Sequence, residues 1–168
     1  RAPGTYLMFP SRFVPERTPD PDWYGGKGVS DIVFMSSRDG INFDRSFIEA
    51  FVRPGPDKNN WHERAIYMER GIHQTSPTEI SLYGMEGLRT QSVNVRRYTV
   101  RTDGFVSVNA GASGGEFTTH PMTFTGGSLE LNFSTSAVGS VRVEIQDANG
   151  TPLPKFAMAD CPDHFGDD

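Results

Sequence analysis

Short apolar or alternating runs bounded by turn residues occur along this whole chain, and such runs predict β-strands. The clearest alternation is in residues 140–146, where Val141, Val143 and Ile145 face one way and polar residues face the other. No long helix is predicted, because Gly (18) and Pro (12) are frequent along the chain. The other predicted strands are residues 5–14, 31–36, 65–72, 79–85, 91–101 (with a bulge), 105–109, 115–119, 122–125 and 129–134, while 47–53 fits a strand or one helical turn.

The spacing of these runs changes near Thr102-Asp103-Gly104, so we predict two regions, residues 1–101 and 102–168. The predicted strands of the second region are short and evenly spaced, which favours an antiparallel sandwich. Asp147 to Gly150 predicts a type I′ hairpin turn at its end. The sequence therefore predicts an all-β protein of antiparallel sheets.

The segment from Ser37 to Phe43 has the form Ser-x-Asp-Gly-x-x-Phe, in which Ser and Asp side chains bond to nearby backbone groups. It predicts a hairpin in which 31–36 pairs with a return strand beginning at Ile41. We interpret Asp39 as a folding device, and the alternative is that it is catalytic.

Composition excludes several classes of protein. The 168 residues carry a formal net charge of −5 without a basic stripe, so nucleic acid is not predicted as a partner. No apolar run approaches about 18 residues, so no membrane span is predicted. The single cysteine, Cys161, excludes an internal disulfide framework.

Two loops carry aromatic side chains among polar ones, a combination that suits sugar recognition because Trp stacks on sugar rings while Arg and Glu bind hydroxyls. Residues 15–30 form a long loop rich in Pro, Asp and Gly, and residues 57–64 form a second polar loop. The alternative is a solvated loop with one anchoring Trp. The candidate sugar-binding residues are Trp23, Tyr24, Trp61, His62, Glu63, Arg64 and Tyr83.

Glu69 and Glu79 lie on or beside adjacent predicted strands, and two carboxylates flanking a bond are what glycoside hydrolysis needs. They are our catalytic candidates, and the alternative is a solvated sheet face. The four His and Cys161 lack ligand spacing, so no metal site is predicted. Calcium is the one cofactor left open, at the acidic end formed by Asp163, Asp167 and Asp168.

A series of segments carries a family resemblance: SRDGINFDR, FVRPG, WHER, EISLYGMEG, VRRYTVRTDGFVSVNAG, the run from GGEFTTHPMTF to GTPLPKF, and DCPDHFGD. Together they resemble the C-terminal part of large bacterial, planctomycete-like proteins related to five-bladed β-propeller glycoside hydrolases. In that family a β-sandwich follows the propeller. The resemblance implies a partial propeller in 1–101, an incomplete sandwich in 102–168, and a secreted, periplasmic or cell-surface location.

The resemblance implies a carbohydrate-active protein with a polysaccharide or oligosaccharide partner, but not a full catalytic set. The family's nucleophile lies on a first blade that this chain does not contain. Its Arg-Asp-Pro signature is also absent, because Gly40 follows Arg38-Asp39. Glu79 is then the counterpart of the acid/base. Two alternatives stay open: a non-catalytic carbohydrate-binding β module, or a structural protein that forms homo-oligomers through open sheet edges.

Overall fold

The computed structural model describes residues 4–23 and 25–167, and the protein is almost entirely β. Within these residues every strand pair is antiparallel, and the sheets close into neither a barrel nor a propeller. The predicted all-β class is therefore confirmed. The strands are β1 (Tyr6–Met8), β2 (Ser11–Val14), β3 (Val29–Val33), β4 (Met35–Ser37), β5 (Ala50–Val52), β6 (Tyr67–Met68), β7 (His73–Gln74), β8 (Glu79–Glu86) and β9 (Asn94–Arg101). Two 3₁₀ turns cover Lys58–Asn60 and Met158–Asp160.

The chain divides after Phe105 into two compact units, Arg1–Phe105 and Val106–Asp168. In the first unit, β1 pairs with β4, and β3 lies between β2 and β5. The predicted strands 5–14 and 31–36 are each split in two. Pro10 has no N–H to contribute to a ladder, and the Val33 amide donates to the Pro10 carbonyl at 3.1 Å across the break.

Phenylalanine rings fill the region around this break. Phe9 lies 5.8 Å from Phe34 and 5.2 Å from Phe51 between ring centroids. Phe105 stacks on Phe34 at 5.7 Å, with the two rings only 10° from parallel. Such aromatic pairs stabilise a fold beyond their buried area, and here they join β5 and the chain after β9 to the break.

The last sheet of this unit has β8 at its centre. β9 pairs with β8 in unbroken register from Glu79↔Arg101 to Glu86↔Asn94, so the bulge predicted in 91–101 is absent. β6 and β7 pair with β8 in succession, through Met68↔Gly84 and His73↔Ser81. Because side chains alternate across a strand, Ile80 and Leu82 are buried while Glu79 and Tyr83 lie on the opposite face.

One apolar cluster joins the sheets of the first unit. Ile32, Val52, Ala65 and Ile66 form its buried centre, and the partly buried Phe9, Phe51, Met68 and Tyr98 pack around it. Beside it, the Tyr98 hydroxyl donates to the buried Glu86 carboxylate, which also pairs with Arg96 at 2.7 Å. Burial and the hydrogen bond to Glu86 both raise the pKa of Tyr98.

The second unit corrects the sequence prediction. Residues 105–109, 115–119, 122–125, 129–134 and 140–146 were predicted as strands. The described part of this unit contains only isolated bridges instead, at Gly111↔Gly114, Ser134↔Asp167, Val141↔His164 and Gln146↔Pro152.

The physical reason is that an alternating strand is stable only when a facing layer buries its apolar side. Phe117, Met122, Phe124 and Leu129 are instead between 62% and 71% exposed in this unit. Without that burial, alternation alone does not offset the backbone entropy of forming a ladder.

The turn at Asp147 also differs from its prediction. The Gly150 amide donates to the Asp147 carbonyl at 3.0 Å, and Gln146 forms a bridge with Pro152, so the chain does reverse here. A type I′ turn needs positive φ at both central residues, here Ala148 and Asn149, and neither has it. The type I′ prediction is therefore wrong, and the left-handed residue is Gly150, the last residue of the turn, with φ +82°.

Candidate functional site

The Ser37–Phe43 hairpin closes on its own side chains, as predicted. The Ser37 hydroxyl accepts from the Gly40 amide at 2.9 Å. One Asp39 carboxylate oxygen accepts from the Ile41 and Asn42 amides at 2.8 and 2.7 Å. The other accepts from the Asn42 side-chain amide at 2.7 Å. Both oxygens are occupied within the turn, which favours the interpretation of Asp39 as a folding device.

We expect Asp39→Ala to lower the melting temperature at neutral pH. The hydrogen bonds from Asn42, Ile41 and Ser37 hold the pKa of Asp39 well below its usual value of 3.8. A lowered folded-state pKa supplies stability that is complete above the usual value and is lost as pH falls below it. The melting-temperature difference between wild type and Asp39→Ala should therefore shrink below about pH 4. A difference that stays constant down to pH 2 would contradict this role.

The return strand predicted after this turn is reduced to one bridge, Ser36↔Asp44, with the Asp44 amide donating to the Ser36 carbonyl at 2.7 Å. The Asp44 carboxylate accepts a hydrogen bond from the Ser46 amide at 2.8 Å, and strand pairing does not continue beyond Asp44. The hairpin is therefore a closed turn on β4 and not the start of a further long strand.

The strand register separates the two candidate carboxylates. The Glu69 amide donates to the Tyr83 carbonyl at 2.8 Å, so Glu69 lies opposite Tyr83, four residues from Glu79 along β8. At about 3.3 Å per residue, four residues along a strand span roughly 13 Å. The two catalytic carboxylates of glycosidases are about 5–9.5 Å apart, which is a shorter distance. Glu69 and Glu79 are thus not placed together across one bond.

Glu79 is instead part of a hydrogen-bonded network with three other residues. Its carboxylate pairs with Arg97 and accepts from the Thr75 hydroxyl at 2.9 Å. Arg97 donates through Nε to the Ser81 hydroxyl at 2.8 Å, and the Thr75 and Ser81 hydroxyls are 2.9 Å apart. Adjacent strands hold all four residues on one face of the sheet.

An aromatic pair continues this network along β8. The His73 and Tyr83 rings meet edge to face, with centroids 5.8 Å apart and planes at 69°. Tyr83 is half-buried and His73 is exposed. We use the name polar face for the group formed by His73, Thr75, Glu79, Ser81, Tyr83 and Arg97, in which Ser81 is buried. Of this set, only Glu79 and Tyr83 are sequence candidates. The strand register decides which residues from neighbouring segments lie beside them, and the sequence alone does not contain that register.

The Trp61–Arg64 segment, predicted as one sugar-contact cluster, is split by the fold. Trp61 donates through Nε1 to the Gly55 carbonyl at 2.7 Å, which anchors its ring to the loop. The Glu63 carboxylate pairs with Arg89, and Arg64 is exposed. His62 is only 2% exposed, so it has no surface for a sugar in this conformation.

Of the two candidates in the first loop, Trp23 lies against His62, with ring centroids 4.3 Å apart and planes at 33°. Tyr24 lies outside the described residues. The pKa of His62 is lowered, first by burial and second by the positive charge of Arg89, against smaller opposing effects of Glu63 and the Asn59 carbonyl.

The candidates for metal binding are dispersed. Among residues 4–23 and 25–167, no group of three His, Cys, Asp or Glu side chains is placed to hold a metal ion. Asp163 is engaged by the Ser140 hydroxyl at 3.0 Å and by Arg142 at 3.5 Å. Asp168, the last residue of the acidic end, lies outside the described residues.

Comparison with known proteins adds no assignment. No family model matches the chain, and no curated protein or solved structure shows significant similarity to it. Among the residues that the structure describes, no helix has the length and apolar character needed to cross a membrane.

Proposed function

We propose that this chain is a carbohydrate-active protein related to propeller glycoside hydrolases, acting outside the cytoplasm, and that its polar face binds sugar. The supporting observation is the Glu79–Arg97–Ser81 network directly beside the Tyr83–His73 ring pair. The polar face combines fixed donors and acceptors with aromatic surface, which are the two elements that a sugar requires.

A sugar ring presents C–H groups on its faces and hydroxyls around its rim. The half-buried Tyr83 ring offers an apolar surface for the face, while Arg97 and Glu79 offer a donor and an acceptor for adjacent hydroxyls. The hydrogen bonds among Thr75, Ser81 and Arg97 hold these groups in place before a ligand arrives. Preorganisation of this kind reduces the entropy lost on binding.

The same geometry supports binding over catalysis. A general acid must direct a carboxyl group at the leaving-group oxygen of the glycosidic bond, whereas the Glu79 carboxylate is already engaged by the Arg97 guanidinium and the Thr75 hydroxyl. The other candidate carboxylate, Glu69, lies four residues along the strand. Within the described residues, the polar face therefore supplies a sugar contact and one carboxylate, without the second partner that the reaction needs.

Affinity electrophoresis of the folded protein through gels containing arabinan, fructan, xylan and other polysaccharides tests this proposal. We expect retardation by at least one polysaccharide, and we expect Tyr83→Ala to weaken that binding at least about tenfold, or 1.4 kcal/mol. The matched control is Tyr6→Ala, because Tyr6 is an exposed tyrosine on β1, which belongs to a different sheet from the polar face.

Two outcomes would count against the proposal. One is the absence of binding to every polysaccharide by a sample whose circular dichroism shows a folded protein. The other is equal loss of binding in Tyr83→Ala and Tyr6→Ala. Hydrolysis of aryl glycosides that disappears in Glu79→Gln would instead support the catalytic alternative.

A further inference from the structure

Residues 17–23 form a loop, here named the Trp23 loop, that lies over the Lys58–Asn60 turn and the residues after it. Asp20-Pro21-Asp22-Trp23 is a tight turn in which the Trp23 amide donates to the Asp20 carbonyl at 2.9 Å. Asp at its first position and Pro at its second favour this turn. The Asp20 amide donates to the Trp61 carbonyl at 2.6 Å. This hydrogen bond fixes the turn that carries Trp23 against the segment that contains His62.

The Trp23 indole lies close to both His62 and Gly25. One face of the indole lies against the His62 ring at 4.3 Å between centroids. A Cβ added at Gly25 would lie 2.2 Å from the Trp23 Cζ2 atom, a distance that no side chain can accept. Gly25 therefore permits the closed position of Trp23 because it has no side chain.

His62 is buried without hydrogen bonds to its ring. Neither Nδ1 nor Nε2 makes a hydrogen bond of ordinary geometry among the described residues, and the nearby Asn59 backbone carbonyl has the smallest of the effects on the His62 pKa. A neutral imidazole tolerates this position at moderate cost, whereas an imidazolium there would be a buried, unpaired charge. Trp23 lies against the His62 ring, and Arg89 is close enough for its positive charge to oppose a proton on that ring. Outward movement of the Trp23 loop would uncover the side of the His62 ring that Trp23 contacts.

The charged groups that face His62 do not provide a strong acceptor for its proton. Arg89 opposes a positive charge on His62, and Glu63, which favours one, is already paired with Arg89. From the Trp23 loop, Asp22 is paired with Lys58 at 3.1 Å, and Asp20 uses a carboxylate oxygen to accept from the Asp22 amide at 2.9 Å. Each nearby carboxylate thus has a partner of its own.

We propose that protonation of His62 releases the Trp23 loop, so that this loop is a pH-sensitive cover over the residues after Lys58–Asn60. The proposal concerns a conformational device and does not rest on sugar binding. In the open state His62 regains water as a hydrogen-bond partner, and the Trp23 indole becomes solvent-exposed. The closed state has full stability above pH 6.5, the usual pKa of a histidine, because the pKa of closed-state His62 is lowered. Below that pH, closed-state stability falls until the closed-state pKa is reached.

Single-tryptophan fluorescence tests the switch. In Trp61→Phe, Trp23 is the only tryptophan, because the chain has two. Between pH 8 and pH 4 we expect a red shift of emission and greater quenching by acrylamide. The transition should begin below pH 6.5, with an opening constant that changes no more than about tenfold per pH unit, as expected for one proton. Far-ultraviolet circular dichroism should stay constant through the transition.

Substitutions identify which residue takes up the proton that drives the fluorescence transition. His62→Phe in the same background keeps an aromatic ring against Trp23 but cannot titrate, so its emission should not change over the transition range. His73→Gln is the matched control, because His73 is an exposed histidine on the polar face, and it should retain the transition. Asp22→Asn should retain it too, which separates His62 from the Asp22–Lys58 pair. Gly25→Ala should show the open-state emission already at pH 8.

Wild-type protein provides an independent measurement if His62→Phe does not fold. The His62 ring proton signal in NMR should titrate with the same midpoint as the Trp23 emission. The proposal is overturned if the transition persists unchanged in folded His62→Phe. It is also overturned if Trp23 emission stays constant to pH 4, or if the His62 signal does not titrate while Trp23 emission shifts.

Discussion

Asp31→Ala is expected to destabilise the first unit by about 3–5 kcal/mol, the cost of removing one partner from a buried ion pair. The Asp31 side chain is 0% exposed. Arg12 binds it through two hydrogen bonds, of 2.9 and 2.7 Å, and Arg17 adds a third at 2.6 Å. Removing the carboxylate leaves two guanidinium groups that are two-thirds buried or more without their anion.

Arg12 and Arg17 also explain why removal of the Asp31 carboxylate should affect several segments of the first unit. Arg12 extends from β2 and donates to the Ile48 carbonyl ahead of β5, while Arg17 begins the Trp23 loop. Asp31 on β3 therefore holds the loop and the neighbouring segments at one point. Urea denaturation of the whole chain, followed by tryptophan fluorescence, measures the effect because both tryptophans lie in this unit.

Asp22→Ala is the matched control for Asp31→Ala. It removes an aspartate that also forms an ion pair, with Lys58, but whose side chain is 82% exposed. Solvent screening makes such pairs weak, so the urea midpoint should not change measurably. If the two variants unfold at the same urea concentration, the Asp31 cluster does not hold the unit together.

Ile66→Ala is expected to lower the free energy of unfolding of the first unit by about 2–5 kcal/mol through lost burial and the cavity left behind. Ile66 is 0% exposed and lies in the cluster that joins Ile32 and Val52 to Met68 and Tyr98. The cluster that contains Ile66 therefore joins the β2–β3–β5 sheet to the sheet built on β8. Truncation of Ile66 should therefore weaken the packing between the two sheets, and its effect should extend beyond a single strand.

The same substitution at Ile41 provides the comparison. Ile41 is 81% exposed in the Ser37–Phe43 hairpin, and Ile41→Ala keeps the backbone amide that donates to Asp39. Its free energy of unfolding should stay within about 0.5 kcal/mol of wild type. Chemical denaturation of both variants under one condition gives the difference directly, and equal values for Ile66→Ala and Ile41→Ala would refute the assigned core.

Features that depend on a few neighbouring residues were predictable from the sequence. The Ser37–Phe43 turn closes through side chains at most three residues from their backbone partners, so its residue types define it. The strands β8 and β9 follow long runs of suitable residues, and their positions were predicted to within three residues. The break at Pro10 was not predicted, although the missing proline N–H is a local signal.

The neighbours of each candidate site residue depend on which strands pair and in which register, and a single sequence does not reveal either. Glu69 and Glu79 were both recognised as carboxylates on neighbouring strands, but the register places Glu69 opposite Tyr83 and Glu79 beside Arg97. A shift of register by a few residues would have given a different set of neighbours, and alternation is compatible with several registers. The sequence predicts His62 as a sugar-binding residue of a polar loop, whereas the structure buries it against Trp23.

By itself, the sequence determined the all-β class, the positions of the main strands in the first unit and the closed Ser37–Phe43 turn, because short-range backbone preferences and side-chain hydrogen bonds control them. Only the tertiary structure decided that Asp31 meets two arginines and that Glu79 joins Arg97. It also decided that the alternating runs after Phe105 do not form strands. These outcomes depend on which distant segments bury one another, and burial is a property of the packed chain and not of any local pattern.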